Sequence, residues 1–311
     1  MTTKIAIIGS GFVGSTCAYS LFNNGVTNEI ALIDVYEEKA KGEALDIKHG
    51  NIYTSYTKIT HGNSYELCKD ASIIVITAGS NRKSNESRLD LTKKNAIILK
   101  SIITEIQKYN NDAILLIVSN PIDILVYLAQ TWSNFPKNKI FGTGTSLDTA
   151  RFKQNLSDHY NINPNYIHAY ILGEHGESQF PVWSSANIAG IKLNDFENYN
   201  KEKLDNIFLK TKNDAIEIIN AKGSTYYAIG LVVKDIVKSI LNDQYSIYPI
   251  STFIEDYYGV NNVCLSIPCV LSKKGIYKKI YPILNENEQE QLKKSANQIK
   301  KHIQLVINNE Y

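Results

Sequence analysis

The chain has 311 residues, of which 43% are hydrophobic, and a formal net charge of +2. This length suits two domains with a substantial core, and so small a charge does not indicate a nucleic-acid partner. No apolar run approaches the ~20 residues that a membrane span requires, and the first predicted strand begins too early to leave room for a signal peptide. Four cysteines without a C-x-x-C pair indicate neither a disulfide scaffold nor a metal site. We expect a reduced, cytoplasmic protein.

The first predicted elements indicate a dinucleotide site. An apolar strand over residues 3–9 leads into Gly9-Ser10-Gly11-Phe12-Val13-Gly14 and a helix over 13–24. Such a turn lets backbone N–H groups approach a pyrophosphate at the helix N-terminus. A second strand over 29–34 ends at Asp34, which can accept hydrogen bonds from ribose hydroxyls and would repel a 2′-phosphate. The pattern predicts NAD rather than NADP; the alternative is a glycine turn in an unrelated α/β protein.

The rest of the first half continues to alternate between strand and helix. Further strands are predicted at 57–61, 72–77, 113–118 and 138–142, and helices at 36–48, 90–109 and 122–131. Such alternation implies right-handed crossovers and a parallel sheet, and six strands complete a dinucleotide-binding domain. We therefore predict a doubly wound parallel sheet of the Rossmann type over residues 1–142. The polar stretch 80–87 follows the fourth strand on the ligand-binding rim and is a candidate lid.

The second half changes character. Helices are predicted at 146–160, 203–220, 225–241 and 286–309, around β-rich segments at 166–172, 246–254 and 263–271. Because these elements do not alternate cleanly, we predict an α+β substrate domain over residues 143–311, with the boundary near residue 142.

Four further segments carry the chemistry, and they give the chain its resemblance to a family. The segments are ESRLDL (86–91), SNPID (119–123), GTGTSLDTAR (142–151) and GEHGES (173–178). In their order and spacing, the chain resembles the L-lactate/malate dehydrogenase family, in its lactate-dehydrogenase-like branch, over essentially all 311 residues. The resemblance implies an NAD-dependent L-2-hydroxy acid dehydrogenase that transfers a hydride reversibly between NADH and a small 2-keto acid.

The chemistry of 2-keto acid reduction assigns roles to four residues. His175 is the natural proton donor, because imidazole titrates near neutral pH; Asp148 would fix its tautomer and favour the imidazolium. Arg151, on the same helical face as Asp148, can grip the substrate carboxylate through two hydrogen bonds. By the resemblance, Arg88 is carried by a mobile loop and polarises the substrate carbonyl. Each residue has an alternative interpretation. His175 could be an ordinary polar side chain on a loop, and Asp148 a helix N-cap. Arg151 could only form an ion pair with Asp148, and Arg88 could be a solvated arginine at a helix start.

Other residues are predicted to contact the cofactor or the substrate. Asn120, just past the fifth strand, would orient the nicotinamide or the substrate oxygen, unless it only forms an Asn-Pro turn. Lys39 and Tyr65 resemble weaker contacts around the adenosine half, and each is as readily an ordinary surface residue. The remaining predicted cofactor contacts are Gly9, Gly11, Val13, Gly14, Asp34, Thr77, Ala78, Gly79, Val118 and Thr143, and the remaining substrate contacts are Arg82 and Thr225.

The resemblance gives conflicting indications of the substrate. The family's selector lies six residues before the loop arginine and is glutamine in similar lactate dehydrogenases and arginine in malate dehydrogenases; here it is Arg82. An arginine facing the methyl group of pyruvate would be a desolvated, unpaired charge, which costs roughly several kcal/mol. Thr225 and Glu86 look lactate-type, while Ser84-Asn85 replaces the usual Pro-Gly. We predict oxaloacetate and L-malate, with pyruvate and L-lactate as the alternative and a larger 2-keto acid third.

The resemblance also suggests an effector site. Similar bacterial lactate dehydrogenases bind fructose 1,6-bisphosphate between subunits, through an arginine two residues past the substrate arginine and a histidine seven before the catalytic one. This chain has Lys153 and His168 there. A shared site implies a homo-oligomer, a tetramer or a dimer; the alternative is two solvated polar residues.

Two other classes of function remain as alternatives. A structural or sensor protein that binds NAD would be indicated by the loss of His175, Asp148 or Arg88, and all three are present. A Rossmann oxidoreductase with a tyrosine-based site would need a Tyr-x-x-x-Lys pattern after the fifth strand, where Asn120-Pro121 stands instead.

Overall fold

A computed structural model describes residues 3–80 and 87–307, without the side chain of Arg88. The predicted strands and helices of the first half are confirmed to within three residues at each end. The strands are β1 (Lys4–Ile8), β2 (Glu29–Ile33), β3 (Lys58–Gly62), β4 (Ile73–Ile76), β5 (Ile114–Ile117) and β6 (Ile140–Gly142), and the helices are α1 (Phe12–Asn23), α2 (Glu37–His49), α3 (Arg88–Ile106) and α4 (Ile122–Trp132).

These strands form the predicted doubly wound parallel sheet. β4 and β5 consist entirely of buried isoleucine, leucine and valine, as strands covered by helices on both faces require. The parallel strands run in the order β3-β2-β1-β4-β5-β6. The order reverses direction between β1 and β4, and ligands of such sheets bind at the carboxyl ends of the strands beside that point.

The second half is the predicted mixture of helices and antiparallel strands. Its helices are α5 (Ser146–Tyr160), α6 (Lys201–Lys222), α7 (Tyr227–Leu241) and α8 (Glu286–Ile307), and its strands are β7 (Ile167–His168), β8 (Ile171–Leu172), β9 (Phe180–Pro181), β10 (Asn187–Ile188), β11 (Ile191–Lys192), β12 (Ile247–Ile254), β13 (Val263–Ser272) and β14 (Gly275–Lys279). The sequence did not predict β9, β10, β11 or β14. The first three are two residues long and β14 ends in two lysines, so none has a detectable apolar pattern.

The main sheet continues past residue 142. Within the described residues, nine strands form this sheet, because β12 pairs antiparallel with β6 and brings β13 and β14 with it. Helix α7 packs on α1, where a Cβ at Gly230 would lie 2.7 Å from Cγ2 of Thr16. One hydrophobic core accordingly contains residues from both halves, and a smaller one around Phe152 belongs to the second half.

The four cysteines are buried and unpaired. Among the described residues, no helix combines the length and the apolar character that crossing a membrane requires.

Candidate active site

A groove of about 720 Å³ runs along the glycine-rich turn at the carboxyl ends of β1, β2 and β4. At Gly9, φ is +100° and a Cβ would lie 2.7 Å from the backbone nitrogen of Ala78; at Gly14, a Cβ would overlap the carbonyl oxygen of Gly9. At Gly11, a Cβ would meet no described atom within 4 Å, and no described side chain caps α1 there. The turn therefore leaves open space in front of the first N–H groups of α1, which suits a pyrophosphate.

Asp34 is held at the edge of this groove by backbone donors. Its carboxylate accepts the N–H of Ser10 at 2.6 Å and that of Tyr36 at 3.0 Å. A carboxylate has about four acceptor positions, so these two bonds orient Asp34 and leave capacity for ribose hydroxyls. Ten predicted cofactor residues line the groove: Gly9, Gly11, Val13, Gly14, Asp34, Lys39, Tyr65, Thr77, Ala78 and Gly79. The dimensions and donors of the groove fit NAD.

A second cavity, of about 320 Å³, adjoins the groove at Val13. It lies between strand ends of the first half and helices α5, α6 and α7 of the second. Eight residues predicted from the sequence line it: Val13, Val118, Asn120, Thr143, Asp148, Arg151, His175 and Thr225. Residues far apart in the chain thus meet in one enclosed space beside the groove.

His175 and Asp148 form a close pair in this cavity, with Nδ1 of the imidazole 2.5 Å from Oδ2 of the carboxylate. Burial acts to lower the pKa of His175, but the Asp148 carboxylate outweighs it and the pKa lies above its usual value. Burial likewise acts to raise the pKa of Asp148, and the neighbouring His175 and Arg151 bring it below its usual value. Both shifts therefore favour the charged forms, an imidazolium and a carboxylate. Asp148 is the third residue of α5 rather than its N-cap.

Arg151 lies beside the same pair and is largely buried, with 11% of its side chain exposed. Its Nη1 is 3.5 Å from Oδ1 of Asp148, and its Nη2 is 3.4 Å from Oγ1 of Thr225. Both contacts are long for hydrogen bonds. The ion pair considered from the sequence exists, but it is loose, and the guanidinium keeps N–H donors for a ligand carboxylate.

The loop that carries His175 is fastened on two sides. Gly173, with φ of +88°, exchanges backbone hydrogen bonds with Ser266 of β13, and a Cβ there would lie 2.6 Å from Oγ of Ser295 in α8. The N–H of Glu174 donates to the same Oγ at 3.2 Å, and that hydroxyl donates to the carbonyl of Ser178 at 2.6 Å. Hydrogen bonds on both sides of His175 therefore fix its position, although it lies in a loop and not in a helix or strand.

Asp123 is a site residue that sequence reasoning named only as part of a motif. It is 2% exposed, accepts the backbone N–H of His175 at 2.8 Å, and accepts the hydroxyl of Ser251 at 2.6 Å. Burial raises its pKa to about 7, against the opposing effect of these donors. The available signal was a lone acid among the buried apolar residues of α4. Sequence reasoning also missed the cavity-lining residues of α6: Lys212, Asn213, Ala215, Ile216 and Ile219.

Some predicted residues lie elsewhere or outside the described structure. Arg82 belongs to the segment that is not described, as do Ser84, Asn85 and Glu86, and Arg88 begins α3 with its side chain undescribed. Lys153, half-buried on α5, and His168, exposed on β7, line neither the groove nor the cavity.

Comparison with known proteins places the chain in a family. Residues 3–142 match the family model described as lactate/malate dehydrogenase, NAD binding domain, and residues 145–310 match lactate/malate dehydrogenase, alpha/beta C-terminal domain. The chain is 45% identical over 304 residues to an L-lactate dehydrogenase of Clostridium botulinum (strain Loch Maree / Type A3), covering 96% of this chain and 95% of that one. It is 44% identical over 311 residues to an L-lactate dehydrogenase of Acetivibrio thermocellus, covering 97% of each.

Solved structures resemble the chain over its whole length. A lactate dehydrogenase from a Medee basin deep-sea metagenome library superimposes with a TM-score of 0.94 at 39% identity, covering 98% of this chain and 99% of that one. The minor L-lactate dehydrogenase of Enterococcus mundtii superimposes with a TM-score of 0.94 at 37% identity, covering 97% and 98%.

Proposed function

The chain belongs to the lactate/malate dehydrogenase family and is an NAD-dependent 2-hydroxy acid dehydrogenase; we propose that pyruvate and L-lactate are its substrate pair. The observation that carries the reaction is the His175–Asp148 pair beside Arg151, in a cavity that adjoins the nucleotide groove. The observation that favours this substrate pair is that both curated relatives described above carry the name L-lactate dehydrogenase.

In the proposed reaction each described residue has one task. Arg151 binds the carboxylate of the 2-keto acid and so turns the carbonyl towards His175. Bound NADH supplies the hydride for the carbonyl carbon. The imidazolium of His175 gives its proton to the carbonyl oxygen, and Asp148 keeps Nδ1 occupied so that Nε2 faces the substrate. In the reverse direction, the neutral imidazole takes the proton from the hydroxyl of the hydroxy acid.

The remaining proposed contacts follow from the lining of the two spaces. Asn120, Val118 and Thr143 serve the nicotinamide end, since they line the cavity beside His175. Lys39 and Tyr65 serve the adenosine end, since they line the groove with Asp34. The part proposed for Arg88 is to polarise the carbonyl of the substrate; the support is the sequence motif and the position of Arg88 at the first residue of α3.

Oxaloacetate and L-malate are the second candidate pair, because Arg82 occupies the position that selects a second carboxylate in the family. The deciding measurement is NADH oxidation with pyruvate, oxaloacetate and 2-ketoisocaproate side by side. We expect wild-type kcat/KM to be highest for pyruvate, and Arg82→Gln to weaken oxaloacetate reduction further, by at least about tenfold. Lys83→Gln, which removes the same charge one residue away, should leave the substrate ratio unchanged.

A wild-type preference for oxaloacetate that Arg82→Gln reverses would reject pyruvate as the principal substrate and establish the second candidate. A preference for 2-ketoisocaproate would reject both pairs while leaving the reaction class intact.

We also propose that Lys153 and His168 bind fructose 1,6-bisphosphate at an interface of a homo-oligomer. Helix α5 and strand β7, which carry them, pack against each other, and among the described residues Lys153 has no ion-pair partner. The effector should lower the apparent KM for the 2-keto acid at pH 6 and at pH 8, because a ligand shared between subunits favours the quaternary state that binds it more tightly. Saturation curves with and without millimolar effector test this. Superimposable curves at both pH values would reject the site.

A further inference from the structure

We infer that Asp123 is a positioning residue for His175. Its carboxylate, anchored by Ser251, holds the backbone N–H of the proton donor. The inference rests on the proposed role of His175 in proton transfer.

The geometry ties three distant segments together at one carboxylate. Asp123 lies in the first turn of α4, His175 lies 52 residues later on the fastened loop, and Ser251 lies in β12. The carboxylate uses one oxygen for the N–H of His175 and the other for the hydroxyl of Ser251. Because both bonds are short and enclosed, a shift of α4 or β12 moves the backbone of His175 directly, and with it the imidazole that pairs with Asp148.

Asp123 also acts on His175 through charge. Its carboxylate adds to that of Asp148 in raising the pKa of the imidazole, while Arg151 opposes both. The titratable groups that face Asp123 itself are His175, Glu174 and the buried thiol of Cys264. Because burial brings the pKa of Asp123 to about 7, its charge is present mainly above that pH. There two carboxylates favour the imidazolium, that of Asp148 by direct contact and that of Asp123 by its nearby charge.

If Asp123 acted only as a connection between α4 and β12, removing its charge would leave the pKa of His175 unchanged. Asp123→Asn separates the two roles, because the amide keeps the shape of the side chain, its oxygen still accepts the N–H of His175, and its NH₂ donates to the hydroxyl of Ser251. The substitution therefore removes the charge and preserves the connections. Ser251→Ala removes the anchor and leaves the carboxyl group of Asp123 in place.

The principal measurement is the titration of His175 by NMR in the full-length protein, with its imidazole resonance assigned by comparison with His175→Gln. In Asp123→Asn we expect the pKa of His175 to fall by roughly 0.5 or more. The pH at which kcat/KM for 2-keto acid reduction falls should move to lower values in parallel, with the Kd for NADH unchanged. In Ser251→Ala, we expect kcat to decrease about threefold to tenfold with a smaller change in the His175 pKa.

Glu288→Gln is the matched control. Glu288 is also 2% exposed and accepts backbone and hydroxyl donors, from Asn285 and Ser184, but it lies in α8 and belongs to neither the groove nor the cavity. Its variant should reproduce the wild-type titration and pH profile. If Asp123→Asn does not fold, the Ser251→Ala titration and kcat decide the proposal.

An unchanged kcat in Ser251→Ala would overturn the positioning role, and an unchanged His175 titration in Asp123→Asn would overturn the effect of the Asp123 charge. Failure of the proposed function looks different: the wild-type enzyme would reduce no 2-keto acid, whatever the titration of His175.

Discussion

At the scale of single residues, the candidate site depends on how buried charges balance one another. Asp148, Arg151 and His175 are all mostly buried, and each would be costly there alone. Together they carry one negative and two positive charges when His175 is protonated, so these three groups leave one positive charge to attract a substrate carboxylate. The same balance keeps His175 protonated above its ordinary pKa, which is the state that reduction needs.

This balance predicts opposite pH profiles for the two directions of the reaction. The pKa of His175 lies above its usual value, so kcat/KM for 2-keto acid reduction should fall at a higher pH than an unperturbed imidazole would give. Oxidation of the hydroxy acid needs neutral imidazole and should rise over the same interval. Steady-state rates from pH 5.5 to 9.5 in both directions measure this.

His175→Ala is the control for the pH profiles. It should lose ~10²–10⁴ of kcat in both directions and bind NADH with nearly unchanged affinity, because the groove lies elsewhere. A variant that keeps more than about a tenth of the wild-type kcat would remove His175 from the reaction, since proton transfer supplies at least about a hundredfold.

At the scale of elements, two helical glycines differ in whether the structure leaves room for a side chain. Gly14 lies in α1 where a Cβ would overlap the carbonyl oxygen of Gly9, a carbonyl that also accepts a hydrogen bond from Oγ1 of Thr77. Gly42 lies exposed in the middle of α2, where a Cβ would meet no described atom within 4 Å. One glycine is needed by the turn that faces the cofactor, and the other only weakens its helix.

The two alanine variants should therefore have different effects on NADH binding and on stability. Gly14→Ala should weaken NADH binding by at least about tenfold, or roughly 1.4 kcal/mol, because the turn must open to admit the methyl group. Gly42→Ala should leave NADH binding unchanged and stabilise the protein by roughly 0.5–1 kcal/mol. Fluorescence titration with NADH and urea unfolding measure the two effects. Wild-type NADH affinity in Gly14→Ala would contradict the fit of the turn to a pyrophosphate.

At the scale of the whole molecule, the two halves share one sheet. We propose that residues 1–142 and 143–311 are distinct in sequence pattern and function, and the bounds of the two family models, 3–142 and 145–310, support this division. Folding is a different matter, because β12, β13 and β14 complete the sheet begun by the first half and α7 covers α1. The large core contains residues from both halves, so neither half completes it alone.

The shared core predicts a single unfolding transition, and the positions of the two tryptophans make it measurable. Trp132 packs on the large shared core, and Trp183 packs on the smaller core of the second half, 5.1 Å from the ring of Phe152. Trp132→Phe and Trp183→Phe each leave one reporter. We expect the two variants to give the same urea midpoint, within the small stability change of each substitution, by fluorescence and by circular dichroism. Fluorescence midpoints that differ while the circular dichroism shows two steps would indicate independent folding units.

The sequence by itself determined the features that depend on near neighbours in the chain. The apolar strands, the glycine turn with Asp34, and the spacing of Asp148 and Arg151 on one helix are local, so periodicity and residue type were enough to predict them. The fold class and NAD follow from these features, the family follows from the resemblance of four further segments, and all three are confirmed.

Only the tertiary structure decided which distant segments meet. The partner of Asp123 lies 52 residues away and its anchor 128 residues away, and the local signal, a lone acid in an apolar helix, names neither of them. The same holds for β12 continuing the sheet at β6 and for α6 closing the cavity. The physical reason is that the function of a buried polar group depends on the hydrogen-bond donors that packing brings to it, and packing depends on the whole chain.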